Sequence, residues 1–187
     1  MSYDPNNPFR RQLTFVEGCD QTGKSTLVRA LNYRGGHDCL VYDRGPINRI
    51  VCTQFFANHA EDDTFPVVRR AQVYLGFVPQ LRDLMFRLVE EELVAVIYLQ
   101  ADPDILQVRM RKNNHYVLTR RVLEVQHGLF LAEIGRYGDA LPLLLLDSGT
   151  ISAERNLTAA LDWLRMTQYH DFKPHYPASC LEKETQR

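Results

Sequence analysis

Residues 18–25 (GCDQTGKS) match the pattern G-x-x-x-x-G-K-[ST] at every defined position. The two glycines let the backbone curve so that successive N–H groups point at an anion, and the helix that follows adds its positive end. The lysine of the pattern reaches the β- and γ-phosphates of a nucleotide, and its serine helps to hold magnesium. The motif therefore predicts a phosphate-binding loop, and it restricts the fold to those that place such a loop between a strand and a helix.

The motif also assigns roles to single residues. Lys24 is the expected catalytic cation and Ser25 an expected magnesium ligand, so ATP and Mg²⁺ are the expected cofactors. The residues expected to contact ATP are Gly18, Cys19, Asp20, Gln21, Thr22, Gly23, Lys24, Ser25 and Thr26. An ordinary glycine-containing turn is the alternative interpretation of this segment. A phosphate loop alone predicts nucleotide binding and no particular reaction, because GTPases, ATPases and kinases share it.

Short apolar segments alternate with helical patterns along the chain. Buried strands are predicted at residues 13–17, 39–42, 93–99 and 141–146. Helices are predicted at 24–32, 47–58, 65–92 (interrupted near Gly76 and Pro79), 103–112, 117–137 and 153–165. Strands that are apolar on both faces belong to parallel sheets covered on both sides, so the pattern predicts an α/β, three-layer P-loop NTPase fold with about 4–5 mostly parallel strands. Residues 1–167 would form one domain and 168–187 a loosely ordered tail.

Asp43 and Arg44 directly follow the second predicted strand. Because the carboxyl ends of parallel strands share one edge of the sheet, Asp43 is expected to meet the metal opposite Ser25. There a carboxylate could orient the magnesium shell or accept the proton of an attacking hydroxyl group. The guanidinium of Arg44 fits a phosphate bidentately, which makes it a candidate clamp for the acceptor. Both residues are predicted to be catalytic, and a solvated Asp-Arg-Gly-Pro turn is the alternative.

These motifs resemble a known family. Residues 15–26 (FVEGCDQTGKST) are similar to the thymidylate kinase loop F-x-E-G-x-D-G-x-G-K-S-T. Asp43-Arg44 is similar to the Asp-Arg-Tyr signature of that family and to the Glu/Asp-Arg-Ser signature of deoxynucleoside kinases. The resemblance extends more loosely to Asp147 and includes short phage nucleotide kinases. It implies ATP- and magnesium-dependent phosphorylation of a deoxynucleoside monophosphate, with Asp20 near the acceptor sugar and Arg44 on its phosphate.

The chain departs from that family at three points. Asp43-Arg44 comes earlier than in cellular thymidylate kinases, the Arg-Glu-Pro-Gly acceptor motif is absent, and Gly45 stands where the family has Tyr or Ser. Two other acceptors therefore stay open: the 5′-hydroxyl of a deoxynucleoside, and a hydroxyl of a polynucleotide or modified base. A nucleotide-dependent switch is a further alternative, although no Asn-Lys-x-Asp guanine signature is present.

Arg109 and Arg111 lie where the family places the arginines of its lid, a segment that closes over the transferring phosphate and excludes water. The lid is expected around residues 107–118. Some thymidylate kinases carry a catalytic arginine inside the phosphate loop, where this chain has Gln21, so positive charge from the lid is more necessary here. Both arginines are predicted to be catalytic, and a solvated basic helix end is the alternative.

Recognition of a base needs an aromatic face and an amide or guanidinium group. The residues expected to contact the acceptor are Asp20, Arg44, Arg69, Arg70, Gln72 and Tyr137. Residues 147–150 (DSGT) follow the last strand and resemble the adenine-contacting turn of these kinases. A plain turn before the last helix explains them equally well.

The composition restricts the partners. There are 22 basic and 23 acidic residues, a net charge of −1, which argues against a surface that tracks nucleic acid and favours a small-molecule nucleotide. No apolar run reaches the roughly 18–20 residues of a membrane span, and the polar start of the chain is not a secretory signal, so the cytoplasm is the expected location. The four cysteines show no disulfide or zinc pattern. The resemblance also makes a homodimer a candidate assembly, packed through residues 65–92.

Overall fold

The computed structural model describes residues 13–34, 40–59, 71 and 73–168. Within these ranges there are four strands, β1 (Leu13–Glu17), β2 (Leu40–Asp43), β3 (Val94–Gln100) and β4 (Leu143–Asp147). They form one sheet in the order β2-β1-β3-β4, and every neighbouring pair is parallel. The predicted α/β architecture with a parallel sheet is therefore confirmed.

Helices cover both faces of the sheet. They are α1 (Lys24–Arg34), α2 (Pro46–His59), α3 (Val78–Glu90), α4 (Pro103–Lys112), α5 (Arg120–Gly135) and α6 (Ala153–Gln168). Alternate residues of β3 show why both faces are apolar. Ala95 and Ile97 belong to the core cluster that includes residues of α1 and α6, whereas Val96 and Tyr98 belong to the cluster that includes residues of α2, α3 and α5. The result is the predicted three-layer arrangement.

Several predicted boundaries differ from the structure for local reasons. The last strand begins at Leu143 and not at 141. Pro142 precedes it and has no N–H to donate to a neighbouring strand, although its carbonyl accepts a hydrogen bond from the N–H of Val96. The helix predicted from 117 begins at Arg120, because the side chain of Thr119 caps it by accepting from the N–H of Val122 at 3.3 Å.

The interruption predicted within residues 65–92 falls at a 3-10 turn, Leu75–Phe77. Pro79 lies in the first turn of α3, directly after this turn, where its missing N–H costs nothing, so the predicted interruption near Gly76 and Pro79 is confirmed. The start of this segment, residues 65–70 and Gln72, lies outside the described residues.

The last helix extends to Gln168, slightly beyond the predicted domain end at 167, and residues 169–187 lie outside the described part of the chain. Within the described ranges, none of the helices combines the length and apolarity that a bilayer crossing requires.

All four strands end at the same edge of the sheet because all are parallel. The segments that follow them are the phosphate-loop motif after β1, residues 44–45 after β2, residues 101–102 after β3 and residues 148–152 after β4. Ligands of open α/β sheets bind at this edge. The fold therefore brings the predicted motifs to one place.

Candidate functional site

The glycines of the motif occupy positions that other residues would not tolerate. Gly18 and Gly23 have φ angles of 139° and 93°, which glycine adopts without strain. A Cβ atom at Gly18 would also lie 2.2 Å from the carbonyl oxygen of Leu99 in β3. The loop between β1 and α1 thus has the curved backbone and the close strand approach that a phosphate loop requires.

The ammonium group of Lys24 lies inside this loop. Its Nζ donates to the carbonyl oxygens of Gly18 at 2.8 Å and Cys19 at 2.6 Å, and only 5% of the residue is exposed. Burial lowers the pKa of Lys24, and nearby Asp20 opposes that shift. A buried cation at the N-terminus of α1 gives the loop the electrostatic complement of a phosphate group.

The side chain of Cys19 points away from this centre. It is 5% exposed and belongs to the core cluster on the α2/α3/α5 side of the sheet. Burial raises the pKa of its thiol to about 12. Cys19 therefore contributes backbone groups to the site, and its buried thiol is not a reactive group there.

Ser25 and Asp43 meet across the gap between α1 and β2. The Ser25 hydroxyl donates a hydrogen bond to Oδ2 of Asp43, while Oδ1 of Asp43 is buried and accepts no hydrogen bond. A hydroxyl beside a carboxylate with an unused oxygen fits Mg²⁺, which binds oxygen ligands and usually keeps several waters. Within the described ranges, no group of three or more His, Cys, Asp or Glu residues could hold a metal alone.

Arg44 stands beside the phosphate loop in a left-handed conformation, with φ at 66°. Its backbone N–H donates to the carbonyl of Val16 at 3.2 Å. Its side chain is 59% exposed, with Nη2 4.0 Å from Oδ1 of Asp20 and Nε 3.9 Å from Oδ1 of Asp43. Such long, exposed ion pairs contribute little to stability, so the guanidinium can exchange them for a phosphate at small cost.

Glu17, the last residue of β1, holds the turn that carries Arg44. It is fully buried, and its Oε1 accepts from the N–H groups of Gly45 at 2.9 Å and Asn48 at 3.2 Å. Burial raises the pKa of Glu17 to about 7, and the two backbone bonds and Lys24 oppose the rise. No role was predicted for Glu17 from the sequence. The available signal was a carboxylate at the end of a strand that is predicted to be buried.

Gly45 has no room for a side chain. A Cβ atom there would lie 2.4 Å from Cγ of Phe15, a ring atom of β1. Glycine is therefore the residue that fits beside the ring of Phe15 in this turn.

Arg109 connects helix α4 to the phosphate loop. Its Nη1 donates to the carbonyl of Gln21 at 3.2 Å and to Oγ of Ser148 at 3.3 Å, and its Nη2 donates to the carbonyl of Ser148. Asn113 adds a second link, from its Nδ2 to Oε1 of Gln21 at 2.8 Å. Arg111 is exposed in the last turn of α4 and does not share the contacts of Arg109. The sequence placed Asn113 within the expected lid and Ser148 within the 147–150 turn, but it predicted neither of these contacts.

A cleft of about 910 Å³ lies between the phosphate loop, α4 and the segment after β4. Its lining includes Thr26, Arg109, Thr150 and Asn156. Asp147 shapes the wall by accepting from the N–H of Gly149 at 2.6 Å and the hydroxyl of Thr150 at 2.7 Å. The predicted turn at 147–150 thus borders a space large enough for a nucleoside.

A second cavity, of about 300 Å³, adjoins the other side of the loop through Cys19 and Thr22. It is bounded by Tyr98, Leu106 and His127 among others, and the Tyr98 hydroxyl lies 2.7 Å from Nδ1 of His127.

Tyr137 does not belong to the site. It is 5% exposed, packs on Phe86 with ring centroids 4.9 Å apart, and donates its hydroxyl to Oε1 of Glu133 at 3.3 Å. It precedes the start of β4, at the edge of the sheet opposite the phosphate loop. The expectation that Tyr137 contacts the acceptor is therefore corrected: it is a core residue.

The remaining acceptor residues divide into two groups. Asp20 and Arg44 lie together at the phosphate loop. Arg69, Arg70 and Gln72 lie outside the described residues, so their role stays a prediction.

Neither a protein-family model nor a curated protein sequence matches the chain. Among solved structures it is similar to the YorR protein of Bacillus subtilis in complex with phosphorylated GDP, with a TM-score of 0.58 and 15% sequence identity over 86% of this chain and 100% of that chain. A likeness at this identity concerns the fold alone. Together with the parallel sheet and the geometry of residues 18–25, it shows that the chain has an α/β fold of the P-loop NTPase type.

Proposed function

We propose that this chain transfers the γ-phosphoryl group of ATP to a deoxynucleoside monophosphate, as a thymidylate kinase-like enzyme. One observation carries the proposal: Asp43 and Arg44, at the end of β2, stand beside a phosphate loop that contains Lys24. A phosphate loop alone supports nucleotide binding. The Asp-Arg pair adds a carboxylate and an exposed guanidinium where an acceptor would meet the γ-phosphate.

On the donor side, the ATP phosphates would lie on residues 18–26 and the base in the 910 Å³ cleft. Arg109 supports this placement, because it borders the cleft and reaches the loop at Gln21. The complex of YorR with phosphorylated GDP also supports a nucleotide ligand for a chain of this fold.

The residues would act by placement and charge. Phosphoryl transfer asks for little covalent chemistry from a protein, and stabilisation of the charge on the moving group is the main task. Lys24 would neutralise the β- and γ-phosphates, and Arg44 would bind the acceptor phosphate bidentately. Arg109 would stabilise the negative charge that develops on the phosphoryl group during its transfer. Mg²⁺, held by Ser25 and Asp43, would neutralise charge on the β- and γ-phosphate oxygens.

One observation favours a second candidate, a deoxynucleoside kinase. A hydroxyl acceptor must lose a proton, whereas a monophosphate attacks with an oxygen that is already ionised. Oδ1 of Asp43 is buried and accepts no hydrogen bond, so it is available as a proton acceptor for a hydroxyl. The two candidates share the donor site and differ only in the acceptor.

The test is an acceptor panel. The full chain is incubated with γ-labelled ATP and Mg²⁺ and with deoxynucleoside monophosphates, deoxynucleosides, an oligonucleotide or no acceptor. Label on a monophosphate supports the proposal, label on nucleosides alone supports the second candidate, and label on the oligonucleotide alone indicates a polynucleotide kinase. Tight ATP binding without transfer to any acceptor would contradict the proposal and favour a nucleotide switch.

A further inference from the structure

The turn after β2 is attached to β1 by three consecutive residues of that strand. The ring of Phe15 packs where a side chain at Gly45 would lie. The carbonyl of Val16 accepts from the N–H of Arg44 at 3.2 Å, and Oε1 of Glu17 accepts from the N–H of Gly45 at 2.9 Å. The same strand continues directly into the phosphate loop at Gly18. β1 therefore sets both the phosphate loop and the turn that carries Arg44.

Arg44 needs such a support. Its φ of 66° is in the left-handed region, which costs a residue with a side chain about 1–2 kcal/mol. An exposed turn would release this strain by changing conformation unless the surrounding structure held it. Two groups of β1 hold this part of the turn: the Val16 carbonyl accepts from the N–H of Arg44, and the Glu17 carboxylate accepts from the N–H of the next residue, Gly45.

We infer that Glu17 is a positioning residue that fixes Arg44 relative to the phosphate loop and so sets the affinity for the phosphoryl acceptor. It binds the N–H groups of Gly45 and Asn48, which stand at the start of α2 and have no partner within that helix. The turn and α2 are thereby tied as one unit to the strand that leads into the loop. The consequence for the acceptor rests on the proposed function, whereas the attachment itself does not.

A buried carboxylate at position 17 is explained by its bonds in the site and not by the packing of the core. Oε2 of Glu17 is buried and accepts no hydrogen bond, which costs stability. An apolar side chain would suit the core at this position better, but it would leave the N–H groups of Gly45 and Asn48 unpaired. A carboxylate satisfies both with one oxygen and also complements the positive end of α2.

The experiment compares Glu17→Leu with Glu133→Leu. Glu133 is the matched control, because it is also a buried carboxylate, 2% exposed, but binds Arg82 away from the site. In Glu17→Leu we expect the KM of the acceptor to rise roughly tenfold, the effect of losing a helix cap, while the KM of ATP stays within about twofold. Glu133→Leu should leave the ratio of the two KM values unchanged. Glu17→Gln, which keeps one acceptor oxygen, should restore the acceptor KM to within about threefold of the wild type.

A rise of both KM values by the same factor in Glu17→Leu, or of neither, would overturn the inference. If Glu17→Leu does not fold, amide exchange of the wild type decides. Slow exchange of the Gly45 and Asn48 amide protons supports the attachment, and fast exchange removes its basis. The same measurement separates this inference from the proposed function. A wild-type chain that phosphorylates no acceptor but protects these two amides would refute the kinase proposal and leave the role of Glu17 in the turn intact.

Discussion

The hydroxyl of Ser25 donates a hydrogen bond to the carboxylate of Asp43, although the two residues are 18 positions apart in the sequence. Ser25 lies in the first turn of α1, and Asp43 is the last residue of β2, where it pairs with Val16 of β1. Parallel pairing of β1 and β2 is therefore what places a carboxylate beside the phosphate loop. This contact is the structural basis for the predictions about Asp43.

Replacing Asp43 by Asn should lower kcat by roughly a hundredfold and change the Kd of ATP by less than about threefold. The amide keeps the shape of the carboxylate but loses the charge that would orient magnesium or accept a proton. Steady-state kinetics and direct ATP titration measure the two quantities. Asp162→Asn, which removes an exposed carboxylate of α6 paired with Arg165, is the control and should match the wild type. Equal kcat values for Asp43→Asn and wild type would contradict the site.

Replacing Lys24 by Ala should reduce phosphoryl transfer by roughly a thousandfold or more, because the loop loses the cation that neutralises the β- and γ-phosphates. The fold should persist, since the side-chain hydrogen bonds of Lys24 to the described residues go to two carbonyls of its own loop, Gly18 and Cys19. Labelled transfer and thermal unfolding measure the two effects. Turnover near the wild-type level in a folded variant would rule out the loop as the catalytic centre.

Arg109→Ala should lower kcat roughly tenfold to a hundredfold and raise the KM of ATP, because α4 loses its bonds to Gln21 and Ser148. Arg111→Ala should cause a smaller loss, since Arg111 is exposed and does not share those bonds. Both variants are assayed with the acceptor identified in the panel. If both variants lost the same factor in kcat, the bonds of Arg109 to Gln21 and Ser148 would have no specific role in catalysis.

The stability of the protein should depend on pH through Glu17. Its pKa rises from 4.5 to about 7 on folding, so between these values the folded chain holds a proton that the unfolded chain has lost. The free energy of unfolding should therefore fall as pH rises from about 4.5 to 7, by on the order of 3 kcal/mol from this group. Lys24 and Asp43 also act on this carboxyl, and they are present equally in the variant that tests it.

Glu17→Gln removes this titration. Urea unfolding at pH 5 and pH 8 should show the variant gaining stability relative to the wild type at the higher pH. Glu154→Gln, in the exposed first turn of α6, should follow the wild type at both values. A difference between Glu17→Gln and wild type that is the same at both pH values would exclude Glu17 as the titrating group.

Gly45→Ala should destabilise the protein by about 1–3 kcal/mol, the usual cost of overpacking. The added methyl group would meet the ring of Phe15 at 2.4 Å, so either the ring or the Arg44 turn must move. Gly76→Ala is the matched control, because a Cβ atom at Gly76 meets nothing within 4 Å. Chemical denaturation of both variants measures the difference, and equal stability would mean that the turn adapts without strain.

Much of the fold was predictable because its signals are local. The β-branched run at residues 93–99 predicted a strand that the structure has at Val94–Gln100, since a strand buried on both faces needs apolar residues at every position. The boundaries were less predictable where a cap or a proline decided them, as at Thr119 and Pro142. Tyr137 shows the limit of residue type as a guide, because an aromatic ring suits a core and a binding pocket equally well.

The phosphate loop could be recognised from the sequence because its glycines, Lys24 and Ser25 lie within eight consecutive residues, and the glycine backbone angles and the two side chains act locally. Which distant groups meet that loop depends on how the chain folds. Parallel strand pairing brings Asp43 to Ser25, α4 folds back to place Arg109 on Gln21, and β1 presents Glu17 to the start of α2. Each of these contacts joins residues that are far apart in the chain, and a local sequence pattern cannot predict which distant residues come into contact.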